Sequence, residues 1–336
     1  MTPPKIITCT GYGGTGSSVV SDLLGEFNNV SSMGNFEFRF IQDPKGLRDL
    51  DYGINENNNR LTTSYHINNF IEYINYLSNS KVYNYELFFN NKFKLISDNF
   101  IKNIIDIEWD GFWHQDIIDS SIFKKLVYYT ERIIQKKILR MKEGGATFYS
   151  SIFNKKMYYS SGVDFHQKVR KYTNELILNS NHGNNGHIVF DQMIPSNNVD
   201  CYVKYFDNIK VIIVDRDPRD LYILNEALWK EKWIPSDNLD TYIRWFRLLR
   251  ENKGNHNSNS NVLYVQFEDF IYNYDSTIRQ VCQFCDLDLE NHQWKNKFFD
   301  PSVSINNTNL MKKFPQYITD ANIIKTSLEQ YCYSRY

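Results

Sequence analysis

The segment KIITCTGYGGTGSSVVSDLL, residues 5–24, constrains the fold more than any other part of the chain. An apolar run, Lys5-Ile6-Ile7, leads into a glycine-rich stretch, and Val19, Val20, Leu23 and Leu24 follow at helical spacing. Strand, glycine loop and helix in that order belong to an α/β architecture. Such a loop converges backbone N–H groups and the positive helix end on one point, where an anion binds.

Three kinds of phosphate cradle are written this way. Gly11-x-Gly13-x-x-Gly16 matches the dinucleotide fingerprint. Gly11 to Gly16 also frames a Walker A loop, but Ser17 stands where the lysine that contacts the β/γ-phosphates belongs. The third is a cradle for a smaller anionic group, closed by the Ser17 and Ser18 hydroxyls. A glycine turn that binds nothing is the fourth possibility. A second site elsewhere has to decide.

Composition narrows the classes. The 336 residues carry a net charge of −1, so no broad basic face is implied and nucleic acid is disfavoured as the main partner. No apolar run approaches the ~18–20 residues of a membrane span, so no integral membrane segment is expected. MTPPKIITCTG has no signal-peptide apolar region, and five scattered cysteines have no framework spacing; the expected location is cytoplasmic. Cys282-x-x-Cys285 falls in a helical pattern with Ile278 and Val281, as core thiols do, and no residues cluster as a metal site. The 24 Tyr and 23 Phe serve a core or line a sugar groove.

Further along, Asn35–Phe40 alternates polar and aromatic, which predicts a second strand. From about 47 to 180 the pattern is mainly helical, including Ile67, Phe70, Ile71 and Ile74 and an amphipathic or partly buried segment over 117–139. A polar glycine-rich loop spans 179–186. His187–Asp191 reads as a short strand with His187 facing solvent, and Ile209–Val214 as a parallel strand buried on both faces. Another polar loop spans 254–261. Val262–Phe267 is a further strand, followed by a helix over 276–285. The chain therefore reads as one α/β domain, 1–336, with a large helical insertion at 47–180.

The second site lies at the carboxyl end of the buried strand, where open α/β sheets hold ligands. Arg216 and Arg219 stand there in DRDPRD, and the arginine fork suits phosphate. A local knot of salt bridges over 216–220 is the alternative. Two separated anion sites fit a nucleotide with two separated phosphate groups.

At this point the chain resembles the sulfotransferase family, whose members move a sulfuryl group from 3′-phosphoadenosine 5′-phosphosulfate (PAPS, leaving PAP) to a hydroxyl or amine. GYGGTGSS is similar to the 5′-phosphosulfate loop, VIIVDRDPRDLYI to the 3′-phosphate strand and turn, and VLYVQFEDFIYNYDSTIRQVCQFCDL to the closing strand, turn and helix. The resemblance implies a parallel-sheet, P-loop-like sulfotransferase core. It departs from the family in two places: Gly14 replaces the loop's Lys or Arg, and Leu224 replaces a serine, with Asn225 beside it as a substitute donor. Arg39 or Lys5 are candidates for the missing loop cation.

The resemblance implies these roles. Gly13, Gly14, Thr15, Gly16, Ser17 and Ser18 hold the 5′-phosphosulfate with N–H groups and the Thr15, Ser17 and Ser18 hydroxyls. Arg216 fixes the 3′-phosphate, Asn225 assists, and Lys312 and Lys313 cap the nucleotide. Glu37 is the expected base, its pKa raised between Phe36 and Phe38; Asp191 is the second choice. A structural Glu37–Arg39 pair is the competing reading. A glutamate on this strand resembles the carbohydrate branch, which implies a carbohydrate acceptor such as a bacterial glycan or capsular polysaccharide, with the helical block as the acceptor side. PAPS chemistry requires no metal. The competing functions are a catalytically inactive glycan- or nucleotide-binding protein on the same fold, an NAD(P)-dependent oxidoreductase, and a P-loop phosphotransferase.

Overall fold

A computed structural model describes residues 4–140, 150, 152–181, 186–251 and 259–335. The loops expected at 179–186 and 254–261 fall in part, at 182–185 and 254–258, outside the described residues. The strands are β1 (Lys5–Gly11), β2 (Val30–Glu37), β3 (Ile107–Gly111), β4 (Lys155–Tyr159), β5 (His187–Asp191), β6 (Ile209–Asp215) and β7 (Val262–Gln266).

Five of them form one parallel sheet in the order β2-β5-β1-β6-β7. The chain leaves central β1 toward β2 and β5 on one side, then crosses to β6 and β7 on the other. Such a reversal opens a crevice at the carboxyl ends of the strands. Gly11, Glu37, Asp191 and Asp215 are the last residues of four of these strands and therefore share that edge.

The sheet is buried because its strands read as near-continuous apolar runs. Val211, Ile212, Ile213 and Val214 are all fully buried. One core cluster joins Ile7, Val189 and Ile212 to Val20 and Leu23 of the helix Ser18–Leu24 and to Val281 and Cys285 of the helix Tyr274–Cys285. Cys282 and Cys285 are free, buried thiols of this cluster, as the helical spacing predicts, and burial pushes the Cys282 thiol up to about 11. A second cluster joins Leu221 and Leu224 to Tyr242, Phe246 and Ile324.

Contacts divide the chain into two units, one of residues 1–43, 84–93 and 169–336, which holds the sheet, and one of 44–83 and 94–168. The second unit contains the helix Thr62–Asn79, which buries Ile67, Phe70, Ile74 and Leu77. It also contains a two-stranded antiparallel sheet, β3–β4, that the helical pattern did not predict. Each strand is five residues long, β3 mostly exposed and β4 mostly half-buried, so no alternation of buried apolar residues marks them. The single helix expected over 117–139 is broken: His114–Ile118 ends, and Ile122–Ile133 restarts after Ser121, whose hydroxyl accepts the Lys124 N–H at 3.4 Å.

Strand β2 differs from the reading at 35–40. It begins at Val30 and ends at Glu37, with a register shift between Ser32 and Glu37. Gly34, at φ +69°, permits the local turn of the backbone. The shift sets Glu37 opposite Asp191 of β5, and the Phe38 N–H still donates to the Asp191 carbonyl at 2.8 Å.

Candidate functional site

The glycine loop runs from the end of β1 to the helix Ser18–Leu24. Gly13, Gly14 and Gly16 all have left-handed backbone, which only glycine adopts without strain of about 1–2 kcal/mol. Space excludes side chains as well. A Cβ on Gly14 would lie 2.9 Å from the Trp229 ring, and on Gly16 2.7 Å from the Phe267 ring. This is why no lysine stands at position 14: Trp229 and Leu221 occupy its direction. Trp233 lies equally close to Gly13.

The loop's hydroxyls divide in use. Thr15 is buried and donates to the Val214 carbonyl at 2.7 Å, so its hydroxyl braces the loop against β6 and leaves its backbone as the expected anion contact. The Ser17 hydroxyl accepts from Gln192 Nε2 at 2.9 Å and reaches Asp191 Oδ1 at 3.5 Å. The Ser18 carbonyl accepts from the Ser21 hydroxyl at 2.9 Å within the helix's first turn.

On one flank stand two carboxylates. Asp191 is buried and accepts from the Cys9 thiol at 3.3 Å. Burial pushes its carboxyl up to about 6, helped by the charge of Glu37. Neighbouring strands lie about 4.8 Å apart, so Glu37, directly opposite, is an adjacent carboxylate at the same edge. The Glu37 side chain is 52% exposed. The flanking aromatics do not enclose it. Strand alternation turns Phe36 and Phe38 to the other side, where Phe38 packs edge-on against Tyr85 and Phe190. Arg39 Nη1 lies 3.6 Å from Glu37, while Arg39 Nε donates to Asp43 at 2.8 Å. Lys5 does not reach the site. It begins β1, six residues or roughly 20 Å from the loop, and pairs with Asp286 at 3.1 Å. His187 occupies that same far end and is buried, contrary to the sequence reading.

On the other flank, Arg216 follows β6. It is buried, its Cζ lies 4.5 Å from the centroid of the Phe267 ring, and Nη2 donates to the Asn307 carbonyl. Gly16 and Arg216 therefore both lie against one ring. The turn after Arg216 is held from below. The Asp217 N–H donates to Glu268 Oε1 at 3.0 Å, and burial pushes the Glu268 carboxyl up to about 8. Arg219 forms the structural knot of the alternative reading: its fork grips Asp217, with both groups buried. Asp220 accepts the N–H groups of Asn309 and Leu310, each at 2.8 Å, which fastens the segment carrying Lys312 and Lys313 beside Arg216. Both lysines are exposed, and Lys313 Nζ donates to the Asn306 carbonyl at 2.7 Å.

Asn225 does not supply a phosphate donor. Its amide donates to Ser236 Oγ at 2.6 Å and to the Glu231 carbonyl at 3.3 Å, and its oxygen accepts the Glu231 N–H at 2.9 Å. It braces the turn that carries Trp229 and Trp233 over the loop. Arg250 is a site residue the sequence reading missed. It holds Asp215 with two donors and lies 4.4 Å from the ring centroid of Tyr12 in the loop, tying the loop to β6. Its signal was there: Tyr242, Phe246 and Arg250 recur every four residues on the buried face of one helix.

The strand ends, the glycine loop and the Arg216 turn can be set beside known proteins. Residues 147–291 match the sequence model of the Sulfotransferase family. The core is a mixed α/β fold on a parallel central sheet, and the matched segment contributes its strands β5, β6 and β7. The matched segment spans Asp191, Arg216 and Glu268, and the match supports a PAPS-dependent sulfotransferase enzyme. No curated protein matches the sequence. Among solved structures the chain is similar to the sulfotransferase domain from the Synechococcus PCC 7002 olefin synthase, at 11% identity over 97% of this chain and 88% of that one, with a TM-score of 0.39. It is similar to the sulfotransferase domain from the curacin biosynthetic pathway, at 10% identity over 97% and 98%, TM-score 0.42. A third is retinol dehydratase in complex with androsterone and inactive cofactor PAP, at 10% identity over 100% and 84%, TM-score 0.36.

Proposed function

We propose that this protein transfers a sulfuryl group from PAPS to a hydroxyl of a carbohydrate acceptor, with Glu37 as the base. The observation that carries the reading is that Gly16 of the glycine loop and Arg216 lie against the one ring of Phe267, with a carboxylate pair on the loop's other flank. The residues fit the nucleotide. Three loop glycines take the left-handed backbone of an anion-binding nest, and Arg216 is a buried cation at the crevice.

When bound, PAPS supplies the sulfuryl group and a phosphate leaving group. The residues of the chain do the rest. Backbone N–H groups of residues 13–18 hold the 5′ end, with Ser17 kept in place by Gln192 and Asp191. Arg216 holds the 3′-phosphate, and Lys312 and Lys313 stand beside it. Glu37, the more exposed carboxylate, takes the proton of the acceptor hydroxyl, a role worth typically about 10²–10⁴ in rate. Asp191 positions Ser17. Arg39, paired with Glu37 and Asp43, orients the base. The glutamate on β2, which resembles the carbohydrate branch, supports the sugar acceptor.

The test is calorimetric titration of the purified protein with PAP, adenosine 5′-phosphosulfate, ATP and NAD, followed by sulfuryl transfer from PAPS to an oligosaccharide panel. Tight binding of PAP, weakened when the 3′-phosphate is absent, and transfer to a sugar are expected. Binding of NAD or ATP instead overturns the reading. PAP binding without transfer to any acceptor leaves a nucleotide-binding protein on the same fold.

A further inference from the structure

The helix Ile122–Ile133 and the turn Ile134–Ile138 that continues it are built the wrong way round for water. Ile122, Phe123, Leu126, Tyr129 and Ile133 recur at helical spacing and form one stripe, and each is between 55% and 86% exposed. The half-buried positions lie on the opposite side and include Lys125, Glu131, Arg132 and Gln135. Tyr128, among them, packs against Phe153 with ring centroids 5.7 Å apart. A surface helix whose free side met only water would turn the stripe inward and the charges outward. A continuous exposed apolar stripe is an interaction surface.

Charge identifies the occupant. Residues 122–140 hold six basic side chains (Lys124, Lys125, Arg132, Lys136, Lys137, Arg140) and one acidic one (Glu131), net +5, in a chain of net −1. Lys136, Lys137 and Arg140, which follow Ile133 at the end of the stripe, are exposed with it. A second copy of the chain would bring the same positive charges to the same face, and like charges repel. An anionic surface is the complement. Lysine and arginine stems lie along apolar surface while their heads reach a phosphate layer. We propose that this helix docks the protein on an anionic lipid surface, lying in the interface plane with its apolar stripe among the acyl chains. No helix among the described residues is long and apolar enough to cross a membrane, and this mode requires none. The proposal is independent of the reaction assigned to the nucleotide site.

The test is flotation of the full chain with vesicles of phosphatidylcholine alone and with about 30 mol% phosphatidylglycerol added. Flotation with the anionic vesicles only is expected, and about 1 M salt should weaken it at least about tenfold. Leu126→Asp with Ile133→Asp, and separately Lys137→Glu with Arg140→Glu, should each lower the bound fraction at least about tenfold. Melting temperature and PAP affinity should not change. Absence of flotation, or equal flotation with neutral vesicles, overturns the proposal. So does a dimer by sedimentation that Leu126→Asp dissociates, because the occupant is then a second copy. A clear fall in melting temperature on Leu126→Asp also overturns it, because the stripe is then covered within the chain.

Discussion

Replacing Asp191 by asparagine should stabilise this protein, and only above a certain pH. Asp191 is 4% exposed, and burial, with the charge of Glu37, raises its carboxyl from 3.8 to about 6. At 1.36 kcal/mol per pH unit, keeping it ionised costs the folded chain about 3 kcal/mol. The sign follows from the direction. Below pH 4 the group is protonated in both folded and unfolded chains and nothing is lost. Between pH 4 and 6 the unfolded chain ionises while the folded one resists, so stability falls. Above pH 6 the loss is complete. In Asp191→Asn the amide oxygen still accepts from Cys9 and Ser17, while the new donors cost about 1 kcal/mol. The net gain is about 2 kcal/mol at pH 8. A chain of 336 residues unfolds with an entropy of roughly 0.7 kcal/mol/K, so the melting temperature should rise by about 3 °C. Thermal and guanidinium unfolding of both proteins from pH 4 to 8 measures this. A gap that is constant with pH, or a variant less stable at pH 8, refutes the reasoning.

Glu37→Gln should lower kcat by about 10²–10⁴ while calorimetry finds PAP affinity within about twofold of the parent; normal turnover would move the base to Asp191. Arg216→Ala should weaken PAP binding by about 10–100-fold and leave adenosine 5′-phosphosulfate unchanged, since only the 3′-phosphate loses its partner; equal losses for both ligands would mean the crevice itself had collapsed. Gly14→Lys should destabilise by about 2–4 kcal/mol, from left-handed strain plus the clash with Trp229, and Trp229→Ala should recover part of that loss in a double-mutant unfolding cycle.

Much of this molecule is legible in short stretches of chain. The strand, glycine loop and helix at 5–24, the doubly buried run ending at Asp215 and the Arg216 turn are local patterns, and each appears where its residues dictate. Periodicity and turn chemistry act between neighbours a few residues apart, so a single stretch states them in full. What a stretch cannot state is which distant segment will lie beside it. Glu37 meets Asp191 because a register shift in β2 aligns strands 154 residues apart in sequence. Gly14 lacks a basic side chain because a tryptophan more than 200 residues later fills its space. Asn225 stands where a phosphate donor was expected, but its hydrogen-bonding capacity is engaged by the turn that follows it. The apolar periodicity of 122–138 was plain, yet its direction, outward, follows from packing against the rest of its unit. Spacing within a segment fixes a face, and long-range contacts decide where that face points.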